Sequence, residues 1–211
     1  MKIIGYGEDS LTLWALTQKL EYLLKKLSDP SKSEECTIFY RPSFGRRGGE
    51  KSSQFGEFDF ILITLTTAYL GESKWWQSKE INANKLMIEL SPSQEKRHQL
   101  FKEYIEAWPS QQGESRSESF KEFGLRDKKP TAPAGSILRQ NLKFVISKIV
   151  GRDGIRKDIQ NVLLVFYQES SKDKKSEISN NKTLNFRIVE IVIPQLNGLN
   201  DLPAGFIELG K

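Results

Sequence analysis

Gly56-Glu57-Phe58-Asp59-Phe60-Ile61-Leu62-Ile63 is followed, after Thr64-Leu65-Thr66-Thr67, by Ala68-Tyr69-Leu70-Gly71-Glu72-Ser73-Lys74-Trp75. Both flanks are rich in β-branched and aromatic residues and so short a spacer joins them that a β-hairpin is predicted. The spacer has neither Gly nor Asn, which leaves the turn type open. Centring the hairpin on Leu65-Thr66 makes residues whose numbers total 131 cross-strand partners, and Asp59 and Glu72 are such a pair. Glu72 and Lys74 lie two apart on one strand and therefore share a face. A slip of one residue would send the two acids to opposite faces, so this register is the assumption on which the site depends.

Upstream, Leu13, Leu16, Leu20, Leu23, Leu24 and Leu27 recur at steps of three and four. They predict one helix over 10–27, capped by Asp9 or Ser10 and stopped by Asp29-Pro30. Thr37–Tyr40 reads as a short strand leading into a polar loop, Gly45 to Ser53. Downstream, 81–90 reads as a short helix or an irregular connection. A helix follows from Ser91-Pro92-Ser93 to Trp108, with Leu100, Phe101, Tyr104, Ile105 and Trp108 on its buried face. Residues 109–135 read as a polar surface loop or insertion. Another helix carries Ile137, Leu138, Leu142, Val145, Ile146 and Ile149, and Asn161–Tyr167 is an apolar run suited to a strand buried on both faces. Phe186–Ile193 is a last long strand, with a short one at Phe206–Leu209. The expected fold is a single α/β domain over 1–211, a mixed central sheet flanked by helices.

Composition narrows the chemistry. The 211 residues include one cysteine, Cys36, and one histidine, His98. An intramolecular disulfide and a Cys/His zinc site are therefore excluded within one chain. A Ser-His-Asp arrangement would need His98. That residue lies in Glu95-Lys96-Arg97-His98-Gln99, read as the solvent face of a helix. Catalysis then falls to carboxylates, lysines and a hard metal. No apolar run is long enough for a bilayer and no signal-peptide pattern opens the chain, so a cytoplasmic protein without membrane contact is expected. The net charge of +5 favours a polyanionic partner only modestly.

Two carboxylates paired across strands repel, and burial raises that cost. Lys74 returns one positive charge against two negative ones. A divalent cation corrects the deficit, and an all-oxygen site suits Mg²⁺ or Mn²⁺. Such an ion polarises a phosphoryl oxygen and acidifies a bound water. Lys74 would orient that water and offset charge growing on the phosphate.

Asp59, a gap of twelve residues, then Glu72-Ser73-Lys74 resembles the bipartite motif of the PD-(D/E)XK nuclease superfamily. Restriction endonucleases, Holliday-junction resolvases and nuclease-related domains share that motif. Gly56-Glu57-Phe58-Asp59 with a Glu-x-Lys strand end is most similar to the nuclease-related and resolvase branches. The resemblance covers roughly residues 5 to 76, and the remainder by topology alone. It implies a restriction-endonuclease-like core and a metal-dependent deoxyribonuclease, endonucleolytic in mode, acting on DNA with Mg²⁺ or Mn²⁺. It also implies Asp59 and Glu72 as metal ligands, Lys74 as catalytic amine, and Glu8 (Asp9 as substitute) as an acid from the first helix. Gln140 would stand near the metal face. The motif's proline is missing, with Phe58 in its place. Cutting both strands with one centre per chain would call for a homodimer.

Other features carry less. Arg46, Arg47 and Lys51 in the glycine-rich loop are candidate phosphate-backbone contacts, balanced against a simply solvated loop. Of Trp75 and Trp76, one is expected in the core and the other at DNA or a partner. Lys79, Lys143 and Lys148 read as surface charges. Gly5-Tyr6-Gly7 hints at a dinucleotide turn, but Glu8-Asp9 would repel a pyrophosphate. The rival function is a non-catalytic nucleic-acid-binding or interaction protein that keeps the nuclease fold.

Overall fold

The computed structural model describes residues 3–44, 56–75, 81–82, 87–88, 90–106, 124–125, 129–130, 137–151, 157–168, 177–178, 185–193 and 206–209. Strand β1 (Ile4–Tyr6) precedes helices α1 (Gly7–Gln18) and α2 (Leu20–Lys26). Then come β2 (Thr37–Tyr40), β3 (Phe60–Ile63) and β4 (Thr67–Trp75). The short strands β5 (Ile81–Asn82) and β6 (Met87–Ile88) lead to helix α3 (Pro92–Glu106). Strands β7 (Gly124–Leu125) and β8 (Lys129–Pro130), helix α4 (Ile137–Ile149) and strand β9 (Asp158–Gln168) follow. The chain closes with β10 (Glu177–Ile178), β11 (Phe186–Ile193) and β12 (Phe206–Glu208).

The central sheet has five strands in the order β11-β9-β4-β3-β2. Strands β11, β9 and β4 run parallel, and β3 and β2 add on antiparallel, so the sheet is mixed. On one face α1 and α2 bury Leu11, Trp14, Leu16, Leu23 and Leu24 against Phe60, Leu62, Tyr69, Leu164 and Phe166. On the other, α3 and α4 bury Phe101, Ile105, Leu142, Ile146 and Ile149 against Ile61, Ile63, Ala68 and Leu70. Buried on both faces, β4 has no exposed residue along its length.

The hairpin register is the expected one: Phe60 faces Gly71, Ile61 faces Leu70 and Ile63 faces Ala68. Gly71 is dictated by its partner, since a Cβ there would overlap the Phe60 ring. The turn is held from outside the hairpin. Asp29 accepts hydrogen bonds from Thr64 Oγ1 and Tyr69 Oη, both at 2.8 Å, and from the Ser31 backbone N–H at 2.9 Å. Lacking glycine, the turn gets its shape from this buried carboxylate.

Elsewhere the expectations need adjustment. The predicted helix over 10–27 begins earlier, at Gly7, so Asp9 and Ser10 lie inside it, and it breaks at Lys19 into two. The break turns Leu20, Leu23 and Leu24 back into the core. Residues 81–90 contribute strands β5 and β6 to a small three-stranded sheet with β10. The segment 109–135 contains the β7–β8 pair, and its other residues lie outside those described. Strand β1, not expected, pairs with β12 and joins the two ends of the chain. Among the described residues no helix is long and apolar enough to cross a membrane.

Candidate active site

Strand β3 starts at Phe60, while its partner β4 runs on to Trp75. Thr67 O receives the Thr64 N–H across the turn. Odd-numbered residues of β4 therefore aim their backbone groups at the β3 side. Past Gly71 the next two such N–H groups, on Ser73 and Trp75, have no strand partner. Unpaired donors in a buried strand are costly, and each here finds a carboxylate instead. Asp59 Oδ2 accepts from Ser73 N at 2.7 Å. Glu8 Oε2, from the first turn of α1, accepts from Trp75 N at 2.9 Å. Donors two residues apart on a strand are separated by about 6.5–7 Å, which sets the scale of the cluster.

Asp59 thus occupies the end of the sheet rather than one of its faces. The expectation that it would lie side by side with Glu72 on one face is corrected in this respect. The residue sits in a bend just before β3, where alternation stops, and its carboxylate replaces a ladder hydrogen bond. It remains close enough to Glu72 and Glu8 to feel both. Burial first, then the charges of Glu72 and Glu8, push its carboxyl up to about 7, against the opposing Ser73 N–H and Lys74. Lys74 is almost wholly buried and its Nζ stands 3.5 Å from Glu8 Oε1. The hairpin overhang therefore gathers Asp59, Glu8 and Lys74, with Glu72 beside them.

Glu72 has partners the sequence reading did not supply. It is 1 % exposed and points to α3. Gln94 Nε2 donates to Oε2 at 2.8 Å, His98 Nε2 donates to Oε1 at 3.0 Å, and Arg97 forms an ion pair with Oε1. Burial would raise this carboxyl, but the His98 hydrogen bond and the His98 and Arg97 charges hold it below its ordinary value. His98, expected at the surface, is fully buried, with Nδ1 at 2.8 Å from Asn161 Oδ1 on β9 and its ring against Phe58 and Phe186. The run 95–99 is expected as a solvent face, but Arg97 and His98 turn inward, with Gln94 beside them, because a buried glutamate needs donors. Spacings of three and four between Gln94, Arg97 and His98 were the available signal.

The remaining candidates separate clearly. Asp9 is exposed and paired with Arg41, whose Nε also donates to Glu57 at 2.8 Å. Gln140, Lys143 and Lys148 are exposed on α4. Trp75 packs in the core and meets Tyr6 edge-on. Arg46, Arg47, Lys51, Trp76 and Lys79 lie outside the described residues.

The donor set suits a hard cation. Among the described residues, the acids Asp59, Glu8 and Glu72 stand with Lys74, Arg97 and His98, and Arg97 and His98 are committed to Glu72. Asp59 Oδ1 receives no hydrogen bond from the described residues. Its carboxyl is raised by burial first and then by the charges of Glu72 and Glu8, and a cation placed beside it would oppose all three. The three acids do not converge on one point, however. Among the described residues no group of three or more His, Cys, Asp or Glu stands ready to hold a metal ion. Both oxygens of Glu72 are held by α3.

No protein-family model, curated protein or solved structure matches this chain.

Proposed function

We propose that this protein is a metal-dependent deoxyribonuclease of the PD-(D/E)XK kind, hydrolysing DNA phosphodiester bonds endonucleolytically on a restriction-endonuclease-like core. The observation that carries the reading is the overhang of β4. There Asp59, raised to about 7, meets Glu8 and the buried Lys74 beside Glu72. Asp59 and Glu8 each satisfy a backbone donor, yet like charges held together out of water cost free energy, which makes them an expensive way to end a strand. A site that binds a cation and a phosphate gives it a purpose.

Asp59 and Glu8 would hold Mg²⁺ or Mn²⁺, with Glu72 as a third ligand. The ion supplies Lewis-acid polarisation of the phosphate and an acidified water. Lys74, the one cation of the cluster not bound to Glu72, orients the attacking water and offsets charge developing on the phosphoryl oxygens. The water oxygen would bond to phosphorus as the bridging P–O bond breaks; the water's proton would pass to the acid cluster and the leaving oxygen would take a proton from solvent to become the free hydroxyl. DNA is the proposed partner, and scission of both strands calls for a homodimer.

Nicking of supercoiled plasmid in Mg²⁺ or Mn²⁺ tests this. Asp59→Asn and Lys74→Ala should each slow nicking about 10²–10⁴-fold, the usual scale for removing an acid–base or charge-stabilising group. Nicking of equal rate in both variants would sink the reading. The arrangement of Glu72, already neutralised by α3, favours a second reading, a nuclease-like protein that binds nucleic acid without cutting it. That reading predicts salt-sensitive DNA binding with no scission in either ion.

A further inference from the structure

Arg97 reaches Glu72 along a prepared path. Its guanidinium lies over the Phe58 ring, 5.3 Å from the centroid. It passes Gly56, where φ of +70° favours glycine and where a Cβ would stand 3.0 Å from Nη1 and crowd the guanidinium. The Arg97 side chain is 12 % exposed and that of Glu72 1 %. Next to it, Gln94 cannot turn, since its Oε1 accepts from Ser91 N at 2.9 Å while its Nε2 donates to Glu72. Arg97 Nε has no hydrogen-bond partner although it is buried. The guanidinium is thus held by its tip and by Phe58 alone.

We propose that Arg97 is a positioning residue that serves as an internal counter-cation for Glu72 and competes with the divalent ion for that carboxylate. Charge bookkeeping supports this. Glu72 has its charge met by Arg97, His98 and Gln94, whereas Asp59 Oδ1 has no donor among the described residues. A divalent ion that takes Glu72 would stand against the Arg97 guanidinium in a poorly hydrated pocket, and their repulsion favours displacing it. Ion binding and the hold of α3 on the hairpin then oppose each other, and occupancy stays low until something draws Arg97 off. A DNA phosphate is chemically suited to do so, being the guanidinium's other preferred partner. The proposal rests on the reading of this site as a divalent-ion centre.

Thermal melts of the full chain over a Mn²⁺ series at constant ionic strength test it. Arg97→Gln should melt lower than wild type without ion, and should reach half its Mn²⁺ stabilisation at roughly ten-fold lower Mn²⁺. Adding Glu72→Gln to that variant should remove the gain. Recovery of folded Arg97→Gln only in the presence of Mn²⁺ would also support the proposal. Arg97→Lys, which keeps a charge but loses the planar fork, should tighten Mn²⁺ binding about threefold and carries the test if the Gln variant does not fold. Equal Mn²⁺ response in wild type and the Arg97 variants, abolished by Asp59→Asn, would overturn the competition but leave the ion centre standing. No Mn²⁺ response in any of them would overturn both.

Discussion

The two ends of the β3–β4 hairpin each hold a shielded aspartate, and the two are treated oppositely. At the closed end Asp29 accepts from Ser31, Thr64 and Tyr69, and these donors outweigh burial to hold its carboxyl below the ordinary value. At the open end Asp59 has one backbone donor and two negative neighbours, and it rises to about 7. Burial acts in the same direction on both. At Asp59 burial is the largest cause and the adjacent negative charges add to it, whereas at Asp29 the hydrogen-bond donors overcome it. The closed end is built for the fold; the open end gives up stability, as sites that must bind something commonly do.

The sharpest way to break this contrast is to remove the satisfied aspartate. Asp29→Ala strands the Thr64 and Tyr69 hydroxyls and frees a turn that has no glycine. It should cost about 3 kcal/mol, a fall in melting temperature of roughly 6–12 °C for a chain of this length. Chemical denaturation with an unchanged m-value would read it directly. A loss below about 0.5 kcal/mol would mean that the turn needs no external clamp and that the two ends differ less than their hydrogen bonds suggest.

Between the ends lies Gly71, whose bare Cα accommodates the Phe60 ring. Gly71→Ala should overpack this point and cost about 1–3 kcal/mol, with partial recovery when Phe60→Leu is added. The double-mutant cycle separates steric crowding from a general intolerance of β4 to change. Recovery ties the two ends together, since this pair transmits the register from the turn to the overhang. Equal losses in single and double variants would argue that the register is fixed elsewhere.

How much of this was open to sequence reading follows from the same contrast. The hairpin and its register were legible because alternating faces and a short turn constrain each other, and one slip would invert the whole apolar pattern. Strands β9 and β11 announced themselves as apolar runs, giving the mixed sheet with helices on both faces. The break at Lys19 was invisible, since leucines continue at helical spacing straight across it. Asp59's place at the end of the sheet depends on where β3 begins, which no local pattern specifies. His98 and Arg97 were hidden for a different reason: a run of polar residues reads as a wet surface unless the buried charge opposite is known. Glu8 was reached only through a resemblance to nucleases, and its bond to the Trp75 N–H supplies the local physical reason for its place.

The smallest expected effect concerns pH, and it has a sign that Asp29 and Asp59 should not share. Asp59 binds its proton in the folded state up to about pH 7, while an unfolded aspartate releases it near 3.8. Between those values the folded state holds more protons, so stability falls as pH rises through the window and levels off above it. Replacing the residue with Asn removes the dependence while keeping an acceptor for the Ser73 N–H. Asp59→Asn should therefore match wild type near pH 4 and melt higher at pH 8, by roughly 2–4 °C once partial exposure is considered. Asp29→Asn should do the reverse: its carboxyl is lowered, so its contribution is present above the unfolded value and lost as pH falls through the folded one. Parallel pH profiles for the two Asn variants would erase the distinction between a structural aspartate and a functional one. Opposite slopes, with Mg²⁺ lifting wild type toward Asp59→Asn at pH 8, would place the missing positive charge at the overhang.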